Sequence, residues 1–120
     1  MSQERIQLGR EGEERAVAFL KKEGYRILDT NFRCRLGEID IVALSGQKLL
    51  FAEVKTRRSN QYGSPFDAVS PKKQKKLFRL AEYYLLKKQL RDKEPYFAAI
   101  AIDLSVSPVC CELIEFTNFS

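Results

Sequence analysis

The sequence predicts a mixed α/β fold with the element order α-β-β-β-α-β-β. Three observations carry that expectation. Two segments, one at the N-terminus and one near residues 70–90, repeat apolar residues at the helical period. Between them lie apolar runs that alternate with polar residues and are punctuated by Gly, as half-buried strands are. After the second helix comes "YFAAIAIDL", nearly all apolar, which reads as a central strand covered on both faces.

The first helix is expected from about Gln3 to Glu23, with Ser2 as N-cap and Gly24 as its stop. Its inward stripe would be Ile6, Gly9, Glu13, Ala16, Val17 and Leu20. Glu13 falls on that apolar line, and an acid there needs a partner. "YRILDTNFR" follows as a strand. "GEIDIVALS" alternates, which sets Ile39 and Ile41 on one face and Glu38, Asp40 and Val42 on the other. Gly46 suits the first central position of a type II′ hairpin, and "KLLFAEVKTRR" is the returning strand. The segment "RSNQYGSPFDAV" reads as a mobile loop. Ser70 and Pro71 then open a second helix whose apolar line is Leu77, Phe78, Ala81, Tyr84 and Leu85. Lys73 and Gln74 would stand at the start of its inward side. "PVCCELIEFTNF" is the last alternating strand.

Composition bounds the class. The 120 residues suit one domain over 1–120, long enough to bury a core without staples. No run of about 18 apolar residues exists, and the N-terminus is too polar for a signal peptide, so the expected location is the cytoplasm, with no membrane contact. Cys34, Cys110 and Cys111 lack metal-ligand spacing and read as reduced thiols. There is no His, which excludes Ser/His and Cys/His catalysis and leaves carboxylates, lysine, tyrosine and any metal that carboxylates hold. The net charge of +5 is concentrated between Lys72 and Glu94, where nine bases face three acids. A basic helix on a nearly neutral body points to a polyanion, although a solvated helix face has the same pattern.

Within "LLFAEVKTRR", Glu53, Lys55 and Arg57 occupy the strand face that also holds Leu49 and Phe51. With a Gly46-Gln47 hairpin loop, Asp40 would lie directly across from Glu53, and Glu38 across from Lys55. Two facing carboxylates repel, by tenths to about 1 kcal/mol. A divalent cation reverses that sign, and Mg²⁺ or Mn²⁺ commonly sits on one or two carboxylates beside a phosphate. Asp40 and Glu53, with the Val54 carbonyl, are therefore candidate ligands. Lys55 would orient water or offset phosphate charge, and Glu13 would supply a third acid. Lys73 and Gln74 would form the far wall, and open N–H groups near Pro71 would favour a phosphate. Ordinary ion pairs are the competing account: Glu53 with Lys55 or Arg57, and Asp40 with Arg33 or Arg35.

Taken in order, "GREGEERAVAFLKKEGYRIL", "NFRCRLGEIDIVA", "FAEVKTRR" and "AVSPKKQKKL" resemble the YraN-like family of small bacterial proteins, over nearly the whole chain. That family is similar to the PD-(D/E)xK nuclease superfamily, which includes archaeal-type Holliday junction resolvases and restriction endonucleases. The resemblance implies a restriction-endonuclease-like mixed sheet flanked by two helices. It matches Asp40 to the first metal-binding acid, Glu53 and Lys55 to the E-x-K pair, and Glu13 to the acid on the first helix. It also places Asn31, Arg33, Arg35 and Gly37 in a strand that contacts a nucleic-acid backbone. Arg57, Lys72, Lys73, Gln74 and Lys76 complete the expected DNA-binding set. Resolvase-like relatives act as symmetric dimers, so a homodimer is a further implication. The sequence departs from the family where Tyr96 and Ala98 stand in place of the usual Arg and Asp, which puts any pairing of that Asp with a basic residue in doubt.

Three functions fit these readings: a Mg²⁺- or Mn²⁺-dependent endonuclease acting on branched or single-stranded DNA, a non-catalytic nucleic-acid-binding module, and a protein adaptor using residues 59–70.

Overall fold

The computed structural model describes residues 3–58 and 70–116, with side chains from residue 7 onward. The order is α1 (Gln3–Lys22), β1 (Arg26–Cys34), β2 (Gly37–Ser45), β3 (Lys48–Arg57), α2 (Pro71–Lys87), β4 (Glu94–Asp103) and β5 (Cys110–Phe116), as the sequence predicts. Ser2 and the loop residues 59–69 lie outside the described residues.

Local chemistry sets the ends of these elements. Gly24 takes φ +95 after α1, and the Tyr25 N–H reaches the Leu20 carbonyl at 2.9 Å while the Gly24 N–H reaches Lys21 at 3.0 Å. This pair of bonds is the Schellman stop that Gly permits. Gly46 turns the β2–β3 hairpin at φ +61. Ser70 caps α2, its Oγ accepting from the Lys73 N–H at 3.3 Å, with Pro71 at the first helical position. Because Pro71 has no N–H and Ser70 takes that of Lys73, the start of α2 offers fewer open donors than the sequence suggests.

The five strands form one sheet in the order β1-β2-β3-β4-β5. β3 and β4 are parallel, joined by the α2 crossover that a parallel pair requires, and the other neighbours are antiparallel. The helices cover opposite faces. α2 packs on Ile39, Val42, Leu49, Phe51 and Phe97 through Leu77, Phe78, Leu80, Ala81 and Tyr84. α1 packs on Ile41, Ala43, Leu50, Ala52, Ala98, Ile100 and Ile102 through Ala16 and Leu20. β4 is covered on both faces, as its composition predicts. No helix among the described residues is long and apolar enough to cross a membrane.

Two expectations are corrected here. Ile39 and Ile41 belong to opposite faces, because the alternation of β2 breaks at Asp40. Across from the break, Asn31 of β1 adopts φ +54, and the β1–β2 register pairs Thr30 with Ile41 and Phe32 with Ile39 but skips the pair between them. On α1 the inward glycine is Gly12 and not Gly9. Gly12 is buried, and a Cβ there would overlap the Thr56 side chain, whereas a Cβ on exposed Gly9 would meet nothing within 4 Å. Glycines add no hydropathy signal, so periodicity alone could not choose between them.

Candidate metal and phosphate site

The hairpin register holds from Ser45–Lys48 up to Ile41–Ala52 and then ends, so Asp40 and Glu53 are not a ladder pair. The cause is the Asp40 side chain itself. Its Oδ2 accepts the Val54 N–H at 2.8 Å, taking the donor that a continued ladder would have used. This wedge still brings the acids together, since the bonded peptide is the one joining Glu53 to Val54. Glu38, Asp40 and Glu53 line one cavity of ≈ 270 Å³, whose far wall is Lys73, Lys76, Leu77 and Leu80 of α2. Glu38 is a further acid lining this cavity. It pairs with Arg33 at 3.6 Å rather than standing across from Lys55.

Lys55 pairs with Glu53, Nζ to Oε1 at 3.4 Å, one of the ion pairs the bland account expects. Arg57 pairs with Asp103 at 3.6 Å, and among the described residues no cation pairs with Asp40. Burial pushes the Asp40 carboxyl up from its usual 3.8 to about 6. The Val54 hydrogen bond opposes that rise, and the charges of Glu53, Glu13 and Glu38 add to it.

Glu13 approaches from the other side of the sheet, because α1 covers the Ile41 face and not the Glu53 face. A second cavity of ≈ 310 Å³, lined by Leu8, Gly9, Glu13, Asp40, Val54 and Thr56, joins it to Asp40. The partner that Glu13 needs is Asn31, whose Nδ2 donates to Oε1 at 2.6 Å. Burial raises the Glu13 pKa, against the Asn31 bond and with help from Glu38. Asp40 therefore stands in a gap of the sheet and borders a cavity on each face.

Of the remaining candidates, Lys76 rather than Gln74 joins Lys73 at the cavity, and its stem lies over Gly37, where a Cβ would meet Cε at 2.8 Å. Gly37 has φ +141, so Gly meets both a backbone and a packing demand there. Lys72 and Arg35 are exposed and do not line either Asp40 cavity. Ala98 is fully buried beside Ala52, and Tyr96 is exposed under Lys48, 4.4 Å from its ring.

Asp40, Glu53 and the Val54 carbonyl are hard oxygen donors of the kind Mg²⁺ and Mn²⁺ take, and the crowding of negative charge at Asp40 is what such an ion would relieve. No three carboxylates among the described residues converge into a cage, so the fit is to an ion held by one or two side chains, with water and phosphate completing its shell.

A family model described as "Uncharacterised protein family UPF0102" matches residues 12–104, most of the chain, including Glu13, Asp40, Glu53 and Lys55. The chain belongs to UPF0102. Among its UPF0102 relatives, a protein of Caldicellulosiruptor saccharolyticus is 46% identical over 83% of this chain and 85% of its own length. One from Syntrophus aciditrophicus is 43% identical over 92% and 87%, and one from an Arthrobacter species is 54% identical over 70% and 71%. This UPF0102 chain spans most of each relative's length.

Proposed function

We propose that this UPF0102 protein is a divalent-metal-dependent endonuclease that hydrolyses DNA phosphodiester bonds. One observation carries the reading: Asp40 is held in a gap between strands, beside Glu53 and among other negative charges, with two lysines across the cavity and no cation paired with it among the described residues. Asp40, Glu53 and the Val54 carbonyl would hold Mg²⁺ or Mn²⁺, which supplies Lewis-acid polarisation of a phosphoryl oxygen and charge neutralisation at phosphorus.

The chain's own groups do the rest. The Val54 N–H fixes one Asp40 oxygen and so aims the other. Lys55, beside Glu53, orients the attacking water and offsets phosphate charge. Lys73 and Lys76 engage phosphate oxygens on the flanking backbone. Water adds to phosphorus and the 3′-oxygen leaves with a proton, giving a 5′-phosphate and a 3′-hydroxyl. A cytoplasmic location and a symmetric dimer belong to the same reading.

Branched, nicked and single-stranded DNA incubated with the protein in Mn²⁺ test it. Wild-type protein should cleave at least one substrate, and Asp40→Asn should lower the rate by about 10²-fold or more. No cleavage above a Glu53→Ala/Lys55→Ala double variant overturns the proposal.

The Glu53–Lys55 ion pair favours a second reading, a non-catalytic nucleic-acid-binding module in which that pair is only structural. It predicts salt-sensitive binding that is indifferent to metal and to Asp40→Ala.

A further inference from the structure

The α2 helix carries a second feature that the cavity does not use. Its turns face the β1 edge in sequence. Lys76 and Leu80 lie against Gly37, Tyr83 and Tyr84 against Phe32, and Tyr84 and Lys88 against Asp29. The helix therefore runs antiparallel to β1, away from the acidic cavity. On that line Tyr83 is 37% exposed. Its ring centroid lies 6.3 Å from that of half-buried Phe32. Exposed Lys87 sits over both rings, 5.7 Å from Tyr83 and 5.9 Å from Phe32.

The line thus reads lysine, lysine, aromatic pair, lysine, from Lys73 and Lys76 at the cavity to Lys87 about 16 Å further along the helix. The one acid of α2, Glu82, lies on the other side, lining an apolar cavity with Phe78, Leu85, Pro95, Tyr96 and Phe116. Alternation of cations with an exposed ring is what a polynucleotide with unpaired bases requires, because phosphates need charge and bases need a flat apolar surface. A duplex keeps its bases stacked internally and would gain only from the lysines.

We infer that the α2–β1 edge is a track for an unpaired polynucleotide strand, with a base stacked on Tyr83 and its neighbouring phosphates held by Lys76 and Lys87. This rests on the nucleic-acid reading of the cavity and names its substrate class. It selects strand state by ring contact, which metal chemistry at Asp40 does not do.

The test is fluorescence anisotropy with labelled oligo-dT, oligo-rU and a DNA duplex of equal length, all in EDTA so that cleavage plays no part. Wild-type protein should bind unpaired strands more tightly than duplex. Tyr83→Ala should weaken unpaired binding about tenfold, within the 5- to 150-fold that one stacked base contributes, and leave duplex binding within about twofold. Tyr83→Phe should behave as wild type, and Tyr83→Gln stands in if the alanine variant does not fold. Comparison of oligo-dT with oligo-rU assigns the strand to DNA or RNA. Equal loss on duplex and unpaired strands, no loss on either, loss in Tyr83→Phe, or no nucleic-acid binding at all overturns the inference. Selective binding by a protein that cleaves nothing leaves the track standing and defeats the nuclease reading instead.

Discussion

Asp40→Asn should stabilise the metal-free protein at neutral pH. The Asp40 carboxyl titrates at about 6 in the folded chain against an ordinary 3.8, so between those values the folded state holds a proton that the unfolded chain has released. Stability is then fully present below about pH 4 and falls as pH rises through about 6. At about 1.36 kcal/mol per pH unit, the interval is worth about 3 kcal/mol, and solvent reaching a carboxylate at a cavity rim reduces this to about 2–3. Asn keeps an oxygen to accept the Val54 N–H but carries no charge for Glu53, Glu13 and Glu38 to repel. Urea unfolding in EDTA from about pH 4 to about pH 8 reads the difference. Wild-type stability should decline by about 2–3 kcal/mol from this group, while the variant lacks that decline and exceeds wild type above about pH 6. Excess Mg²⁺ or Mn²⁺ should stabilise wild type and leave the variant nearly unchanged. A variant less stable than wild type at about pH 7 in EDTA would refute the reasoning, since the carboxylate would then be a contented hydrogen-bond acceptor and not a charge held against its neighbours.

Gly12→Ala should destabilise by about 1–3 kcal/mol, because the new methyl overlaps Thr56, and Thr56→Ala in the same chain should recover part of the loss by removing the shortest contact; thermal unfolding of the two variants checks this. Tyr84→Phe should cost about 1–2 kcal/mol, since it leaves Asp29 without the hydroxyl that donates at 2.7 Å, measurable by urea unfolding. Replacing both Lys73 and Lys76 with Ala should lower the salt dependence of DNA binding by about two in the log–log slope, read from titrations at several salt concentrations.

Much of the fold was legible because local rules agree along most of the chain. The bounds of β2, the Gly46 turn and the Ser70-Pro71 start of α2 each follow from short-range chemistry, and the hairpin register follows from the turn. Legibility failed where one side chain replaces the backbone. Asp40 behaves as a surrogate carbonyl, and nothing in "GEIDIVALS" separates an acid that faces out from one that caps a neighbouring strand. From that single substitution follow the flip between Ile39 and Ile41 and the early end of the ladder. Leu80 was missed for a simpler reason: an apolar stripe wider than one line buries residues on both flanks. Tyr83 fell off the apolar line of the second helix, and the sequence alone offered no reason to single out a ring on its flank. The grouping of Glu13 with Asp40 could be read, but not that they meet from opposite faces, since helix periodicity carries no information about which side of a sheet the helix will cover.

The gap at Asp40 gives this acid two doors. A polymer lying over the α2 side would close one, while the opening bounded by Glu13, Thr56 and Gly9 would still communicate with solvent. Small ions and water could then come and go without the long molecule letting go. On that side Gly12 lets helix and strand approach closely at Thr56, so the rear entrance is bordered by a contact that only a residue without a side chain permits.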